Sequence, residues 1–568
     1  MLLFSQQTDS IIDLCLECDS LAYQIDQNSF SLEDETTLYG YNPLFRSSLT
    51  NFGAPIVGWY WEFDKSTDLR IGDRILEFAR LKPLEYSEYK HTFAHTKIIY
   101  AQAYSEGQRL SFSHINRHKY GSFQFEYDQL VSKGFMLHEK NKYSNFTFQT
   151  DYTSPKIPYK SVLRVHVFKN TSEWNAGLRE DSLFLSDASI NWELLPVNWT
   201  NLNSNLKHKA LEWRHTYHFS EASKLEYDLN LSQDSLFYEG LNNDSLFYPT
   251  RLDSSVYTRA ITNVMNSLKW SQKLTNDKRL LLGVKHQSFK SYVVETQKLS
   301  AFTSVKSDAL KNELYFEFGK EERNTHTLKT YFKQKFSLKK ILNEVQLSYT
   351  RNLPNLMFYK DSLLNFNSNP SDANQNLNPI VNQSIEWSFY ANQNLKFTST
   401  YHNISGFTYF NEKAMPMQSA KTVQVFQSRV FHHLNWAKWH WLGDAVYQNS
   451  SSKNLPLSTI LLNQKVYWQG VLFKKAAETQ IGFRALYRSS HPGMSFAPLF
   501  GDFYRDPESY TDQSIRLDAF VNLKIKSIKI YAAYEHFNSL FQGVQYILKP
   551  YPMAKPTFRL SLVWNFYD

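Results

Sequence analysis

The last twelve residues, TFRLSLVWNFYD from Thr557 to Asp568, alternate in character with a period of two. One face carries the large apolar side chains Phe558, Leu560, Leu562, Trp564 and Phe566, and the other carries Arg559, Ser561, Val563 and Asn565. An extended strand places successive side chains on opposite faces. Two aromatic residues at the end of the apolar face are typical of a transmembrane β-strand, whose outer face meets lipid. The last strand of a soluble β-domain would show the same alternation, so the rest of the sequence is needed to distinguish a membrane barrel from a soluble domain.

The composition favours the membrane interpretation. The chain has 568 residues with 42 Phe, 36 Tyr and 13 Trp, but its mean hydropathy is −0.48. Many aromatic residues in a polar chain suit a barrel, because only alternate residues of each strand touch lipid. The sequence contains no uncharged apolar stretch of about 18 residues, which excludes helical membrane spans. The net charge of +8 is spread along the chain, so no nucleic-acid-binding patch is predicted.

Alternating segments separated by turns continue from Thr92 to the end of the chain. Examples are 121–128 and 515–526. Short connections, as at 437–438 and 526–527, are interspersed with long polar ones at 178–206, 235–254, 354–380, 490–512 and 543–556. Bacterial outer-membrane barrels have tight periplasmic turns, long external loops and an even number of strands. We therefore predict an all-β, antiparallel transmembrane β-barrel of about 22 strands (20–22) over residues 92–568.

A barrel of this width has an open lumen unless something fills it, and the N-terminal part of the chain is the candidate. We interpret residues 1–5 as the remnant of a signal peptide and residues 6–91 as a plug-like segment in the lumen. This segment contains a turn-forming run and many aromatic residues, but it forms no hydrophobic core of its own. The predicted plug contacts are Asn51, Gly53, Pro55, Trp59 and Trp61. The segment is short for the plug of an energy-coupled transporter.

Strand alternation also predicts which charges face the lumen. If the apolar residues of the closing strands face the lipid, alternation directs five basic residues toward the lumen. They are Lys465, Arg484, Arg488, Arg516 and Arg559. Asp518 and Glu535 are expected as partial counter-charges. Glu126, Asp128 and Asp151 are predicted to form an acidic wall opposite, and a transverse field would orient polar solutes. The alternative is that all of these are ordinary solvated charges in a wide pore.

No motif indicates catalysis or a bound metal. Nucleophile elbows, phosphate-binding loops and zinc-protease motifs are missing from the sequence, so we expect no enzyme activity and no cofactor. His432, His433 and His440 lie near Trp436, Trp439 and Trp441, but adjacent residues on a strand point to opposite faces. An aromatic girdle therefore explains this group better than a metal site does. Cys15 and Cys18 form a local disulfide or remain two idle thiols.

Three short motifs carry a resemblance to a family. The ending Leu562-Val-Trp-Asn-Phe-Tyr-Asp568 resembles the W-x-F-x-D ending of an outer-membrane porin family of Bacteroidota. Thr50-Asn-Phe-Gly-Ala-Pro55 resembles that family's Gly-Asn-Leu-Gly-Ser-Pro motif, with Thr for Gly and Phe for Leu. The segment 90–100 resembles the family's lead into its first strand, although it lacks the Pro and Tyr of Thr-Pro-Tyr-Thr.

The resemblance implies a location in the outer membrane of a Gram-negative bacterium and passive diffusion of small polar solutes. The alternative is a plugged barrel subunit of a secretion or outer-membrane assembly complex, with envelope proteins bound to the external loops. Membrane lipid, lipopolysaccharide and the barrel assembly machinery are the other expected partners, and no nucleic acid is expected. Leu562, Trp564, Phe566 and Asp568 are the predicted assembly signal.

Overall fold

A computed structural model describes most of the chain. It covers residues 44–64, 94–103, 107–180, 191–240, 256–291, 295–322, 325–338, 341–354, 377–392, 394–412, 415–497, 502–542 and 545–567. The signal remnant 1–5, most of 6–91, Cys15, Cys18 and Asp568 lie outside the described residues. No helix within these ranges is both long and apolar enough to cross a membrane.

Within the described ranges, 22 antiparallel strands close into one barrel. The first eleven strands are β1 His95–Gln102, β2 Gln108–His118, β3 Gly121–Ser132, β4 Asn141–Thr153, β5 Tyr159–Trp174, β6 Leu202–Ser220, β7 Ser223–Glu239, β8 Val256–Lys273, β9 Lys278–Ser291, β10 Glu295–Ser307 and β11 Asn312–Glu321. The other eleven are β12 His326–Leu338, β13 Ile341–Asn352, β14 Ile380–Asn392, β15 Leu395–Ser405, β16 Val423–Trp436, β17 Trp439–Ser450, β18 Ile460–Leu472, β19 Ala477–Arg488, β20 Ser514–Ile525, β21 Ile528–Glu535 and β22 Thr557–Tyr567. The predicted all-β barrel of about 22 strands is confirmed.

The terminal strand closes the barrel. β22 pairs with β21 on one side and with β1 on the other, where His95 is the partner of Tyr567. Phe558, Trp564 and Phe566 are exposed on its outer face, and Ser561 and Val563 are buried on its inner face. Closure leaves no unpaired edge, which a membrane-spanning sheet requires.

The two ends of the barrel differ in their connections. At one end, here called the turn end, the strands are joined by turns of two to five residues, such as 119–120, 437–438 and 526–527. Ala437 and Lys526 adopt positive φ in two of these turns. The opposite end, here called the loop end, carries the long connections 175–201, 240–255, 353–379, 489–513 and 536–556. The five long connections of the sequence prediction therefore all lie at one end.

The shorter secondary structure belongs to the N-terminal segment and to the loop end. Antiparallel hairpins join Arg46–Ser48 to Ile56–Gly58, Thr408–Phe410 to Pro416–Gln418, His491–Ala497 to Asp502–Thr511, and Tyr546–Leu548 to Tyr551–Pro552. A 3-10 helix spans Trp192–Leu194, and an α-helix of one turn spans Ser539–Gln542.

Candidate functional site: the luminal plug

Residues 44–64, here called the plug segment, lie inside the barrel near its loop end. Their contacts are with inward-facing side chains, beginning at β3 and β4 and reaching β13, where the Asn352 side-chain amide donates to the Asp64 carbonyl over 3.3 Å. Along this path the segment also contacts β22, β19, β17, β16 and β15. The segment therefore crosses a large arc of the inner wall.

The turn of the plug segment is fixed to β3 and β4 by buried polar contacts. Asn51 accepts a hydrogen bond from Ser132 and donates one to the Glu139 carbonyl, and the Asn141 amide donates to the Gly53 carbonyl. Gly53 has φ +82°, and a Cβ there would lie 2.9 Å from Leu130 Cδ2. Glycine is favoured here because a larger residue would be strained at this φ and would have to displace the Leu130 side chain.

Glu139 is a buried carboxyl group in the connection between β3 and β4. It accepts hydrogen bonds from the Thr50 hydroxyl and from the backbone N–H groups of Phe135 and Met136, the last two at 2.9 and 3.0 Å. Burial raises the pKa of Glu139 above its ordinary value, although these donors act in the opposite direction. The carboxyl group that holds Thr50 of the plug segment is therefore one whose neutral form is favoured by burial.

Trp59 is the central aromatic contact of the plug segment. The Arg488 guanidinium lies over its ring at 4.3 Å from the centroid, and the His491 ring is 5.5 Å away. The Trp59 indole N–H donates to the Ser47 hydroxyl over 3.1 Å. Burial, followed by the charge of Arg488, lowers the pKa of His491 to about 4, so His491 is neutral near pH 7.

Two glutamine side chains hold the backbone next to Trp59. The Gln448 amide donates to the Trp59 carbonyl over 2.7 Å, and its side-chain oxygen accepts from the Trp61 N–H over 3.2 Å. Gln427 donates to the Trp61 carbonyl over 2.8 Å and to the Gln448 side-chain oxygen over 3.2 Å. Together they satisfy main-chain groups that would otherwise be buried without partners. The Trp61 ring packs edge-on against His402 with centroids 5.1 Å apart.

An apolar core covers the plug segment from the loop end. Plug residues Phe45, Leu49, Phe52, Val57 and Trp59 share this core with loop residues Phe496, Ile547, Leu548 and Tyr551. The loops also contact one another, since the Leu178 N–H donates to the Pro550 carbonyl over 3.1 Å and Ser495 donates to the Lys549 carbonyl over 3.0 Å. The described parts of the connections 489–513 and 536–556 therefore fold inward over the plug segment, and Leu178 ties the connection 175–201 to them.

Three of the five predicted basic residues of the closing strands, Arg484, Arg516 and Arg559, take part in a buried ion network. Arg484 donates to Asp518 over 2.7 Å, and Arg516 donates to the same carboxylate over 2.8 Å. Glu535 lies 3.1 Å from Arg516 and 2.6 Å from Arg559. Arg484, Asp518 and Glu535 each keep no more than 4% of their side-chain surface exposed. The network ties β19, β20, β21 and β22 together at the closing seam.

The other predicted luminal residues have separate surroundings. Lys465 lies over the Phe520 ring at 4.6 Å, on the same rung of the sheet as Arg484. Asp128 is paired with Arg109 at 2.8 Å, Glu126 accepts from Gln124 over 2.5 Å, and Asp151 accepts from Ser122. The role of these charges in ion selectivity stays a prediction.

The expected arrangement of a basic wall opposite an acidic wall is wrong. Around the closed barrel, β22 is followed by β1, β2, β3 and β4. The acidic residues on β3 and β4 are therefore only three and four strands from Arg559 on β22. In a barrel of 22 strands, the opposite wall would be eleven strands away. Both sets lie on the same side of the lumen because the two ends of the chain meet there.

Two other groups of predicted residues have clear positions. Trp564 and Phe566 lie outside near the turn end with ring centroids 4.4 Å apart, and Leu562 is on the same face of β22. Pro55 is buried in the plug turn, where its carbonyl accepts from the Leu49 N–H over 2.9 Å.

The histidine group beside the turn end does not converge. His433 and His440 contact each other at 3.3 Å, whereas His432 packs edge-on against Trp441. Among the described residues, no group of three or more His, Cys, Asp or Glu side chains is placed to hold a metal ion.

Sequence comparison assigns the family. A family model described as "Putative porin" matches residues 30–568, and the chain therefore belongs to that family. None of the curated proteins compared with the chain matches it.

Solved structures show a similar fold at low identity. The FrpB iron transporter of Neisseria meningitidis (F3-3 variant) is 10% identical with a TM-score of 0.62, and the alignment covers 84% of this chain and 81% of that chain. The siderophore receptor PirA of Acinetobacter baumannii is 11% identical with a TM-score of 0.62, covering 83% and 80%. The copper transporter OprC is 9% identical with a TM-score of 0.67, covering 92% and 94%. At such identities the likeness concerns the fold alone.

Proposed function

We propose that the chain is an outer-membrane barrel for small polar solutes whose lumen is closed at the loop end in its resting state by the plug segment. The observation that carries this proposal is the apolar core shared by residues 44–64 and the inward-folded loops. A permanently open porin would leave that part of its lumen wet, whereas here Trp59, Phe52 and Val57 are buried. Passage of a solute then requires displacement of the plug segment.

The second candidate is a barrel that stays closed as a subunit of an envelope complex. It is favoured by the contribution of two loops, 489–513 and 536–556, to the same core, since closure then does not depend on the plug segment alone. Neither candidate needs catalysis, and we propose that the chain is not an enzyme. The family and the fold of its structural neighbours support a location in the outer membrane.

Conductance of the purified protein in a planar bilayer tests the proposal. The double variant Trp59→Ala, Gln448→Ala removes a buried indole, which costs roughly 3–5 kcal/mol. It also leaves the Trp61 N–H without its side-chain acceptor, which costs about 1–3 kcal/mol if that group stays buried. We expect a nearly silent wild type and frequent openings of the variant, since each 1.4 kcal/mol changes the population about tenfold.

The matched control is Trp436→Ala, Gln424→Ala, which removes the same residue types from the outer face of β16. It should remain as silent as the wild type. A steady open current through the wild type would contradict the closed resting state and favour passive diffusion. Silence of the plug variant in a folded, inserted barrel would favour the permanently closed subunit.

A further inference from the structure

The outer surface of the barrel carries four lysines on neighbouring strands near the loop end. They are Lys142 on β4, Lys169 on β5, and Lys207 and Lys209 on β6, and all four are exposed. They face outward because they share the alternating face of Phe146, Val167 and Trp213, which are 42%, 40% and 41% exposed. The side chains of the other face, such as Leu206 and Phe168, are buried inside the barrel.

The register of the sheet brings like charges together in this patch. Lys169 and Lys207 are direct cross-strand partners, and like charges at such positions destabilise a sheet. The flanking partners on the same rung are neutral: Ser144 beside Lys169 and Ser235 beside Lys207.

No ion pair among the described residues includes any of the four lysines. On this face Glu173 stands four positions beyond Lys169, and Glu239 stands four positions beyond Ser235, the partner of Lys207. Glu173 is two positions beyond Thr171, the partner of Lys142, so only Lys142 has a carboxylate among its diagonal neighbours. At about 3.3 Å per residue, four positions correspond to roughly 13 Å. An anion from outside the chain would therefore relieve the repulsion between Lys169 and Lys207.

The height of the patch identifies where that anion comes from. Below the lysines, toward the turn end, the outward positions are apolar, with Phe148, Val165 and Leu211 on β4, β5 and β6. Such an outward apolar band marks the part of a transmembrane barrel that contacts lipid tails. The lysines begin where the band ends, which is the level of the lipid headgroups.

We propose that Lys142, Lys169, Lys207 and Lys209 bind phosphate groups of the outer-leaflet lipid. Lysine is a compact point charge that binds phosphate without a fixed geometry. Four ammonium groups on three adjacent strands can serve more than one phosphate of the same glycolipid. Isolated lysines at a membrane interface extend into water, but that behaviour does not explain the direct pairing of Lys169 with Lys207. The inference goes beyond the transport proposal and rests on the proposed outer-membrane location with the loop end facing outward.

Thermal unfolding in neutral detergent tests the inference, with gel mobility of unboiled samples as the readout. The probes are lipid A carrying two phosphates, the same lipid after removal of its phosphates, and inorganic phosphate. We expect the phosphorylated lipid alone to stabilise the wild type. The quadruple variant replaces all four lysines by glutamine: Lys142→Gln, Lys169→Gln, Lys207→Gln, Lys209→Gln. It should require at least about tenfold more phosphorylated lipid for half of the maximal stabilisation. Without lipid this variant should be no less stable than the wild type, because a repulsive pair has been removed.

The matched control neutralises four lysines at or beside the turn end: Lys119→Gln, Lys278→Gln, Lys438→Gln and Lys526→Gln. It changes the net charge by the same amount and should respond to the lipid like the wild type. Equal responses of the wild type and of both variants would overturn the proposal, as would equal protection by the dephosphorylated lipid. Equal protection by inorganic phosphate would overturn the assignment to lipid.

Discussion

Glu139 is expected to make the stability of the folded protein depend on pH. Its pKa is raised by burial, so the folded protein holds this proton at a pH where the unfolded chain has lost it. The stabilising contribution is therefore complete below the ordinary carboxyl pKa of about 4.3 and is lost as the pH rises through the raised value. We expect the unfolding temperature to fall across this interval, with a slope of at most about 1.4 kcal/mol per pH unit from one proton.

The variant Glu139→Gln should remove this component of the slope while keeping the acceptor for the Thr50 hydroxyl. The control Glu193→Gln changes an exposed carboxylate in the connection 175–201 and should keep the wild-type pH profile. Unfolding temperatures of the three proteins from pH 4 to pH 8 provide the measurement. A Glu139→Gln profile parallel to that of the wild type would show that this carboxyl group does not titrate with folding.

At the level of single residues, the sequence reveals the plug aromatics more readily than their partners. Trp59 and Trp61 attract notice because so many aromatic residues outside the strands must be buried somewhere. Gln448, in contrast, is one polar residue among many on inward faces, and its partner Trp59 is 389 positions away. Gln448 can contact Trp59 only in the closed barrel, and no local sequence pattern predicts this contact.

Along the terminal strand, the cost of a charge should follow its depth in the membrane. Leu562 lies near the middle of β22, whereas Trp564 is the partner of Ile528 at the start of β21. We expect Leu562→Lys to cost roughly 2–4 kcal/mol and Trp564→Lys about 0–1 kcal/mol, because the penalty falls toward the interfaces. Asn565 faces the lumen, so Asn565→Lys should impair assembly least of the three substitutions. The measurement is the fraction of each variant that migrates as folded barrel without boiling. An equal fraction for all three would show that this face does not contact lipid.

At the level of elements, alternation and connection length predict the strands well and the loops poorly. Period-two alternation follows directly from strand geometry, so the barrel can be recognised from the sequence. The connection 489–513 looks like a polar external loop, but it forms a hairpin whose Phe496 is buried against the plug core. Which way a loop folds is decided by apolar partners elsewhere in the chain.

Across the whole molecule, the buried network at the closing seam should contribute more to stability than other luminal charges. Asp518 accepts from Arg484, from Arg516 and from the His536 backbone N–H. Removing one partner of a buried ion pair typically costs about 3–5 kcal/mol, and we expect Asp518→Asn to cost an amount in that range. Glu126→Gln is the control, since its carboxylate is only partly buried and accepts from neutral Gln124. Denaturant unfolding of both variants checks this, and similar losses of stability would contradict a special role for the seam.

The position of the plug segment has a consequence for the order of folding. The segment precedes all 22 strands in the chain, but its docking surface is assembled from β3 and β4 at one end and from β13 to β22 at the other. Contacts between such distant parts of a chain form slowly. The surface becomes complete only when β22 pairs with β1, so a segment that precedes all of the strands is expected to be fully seated after them. The plug segment can therefore be seated in full only in a barrel that has closed in this register, and in a misregistered barrel its apolar side would stay exposed.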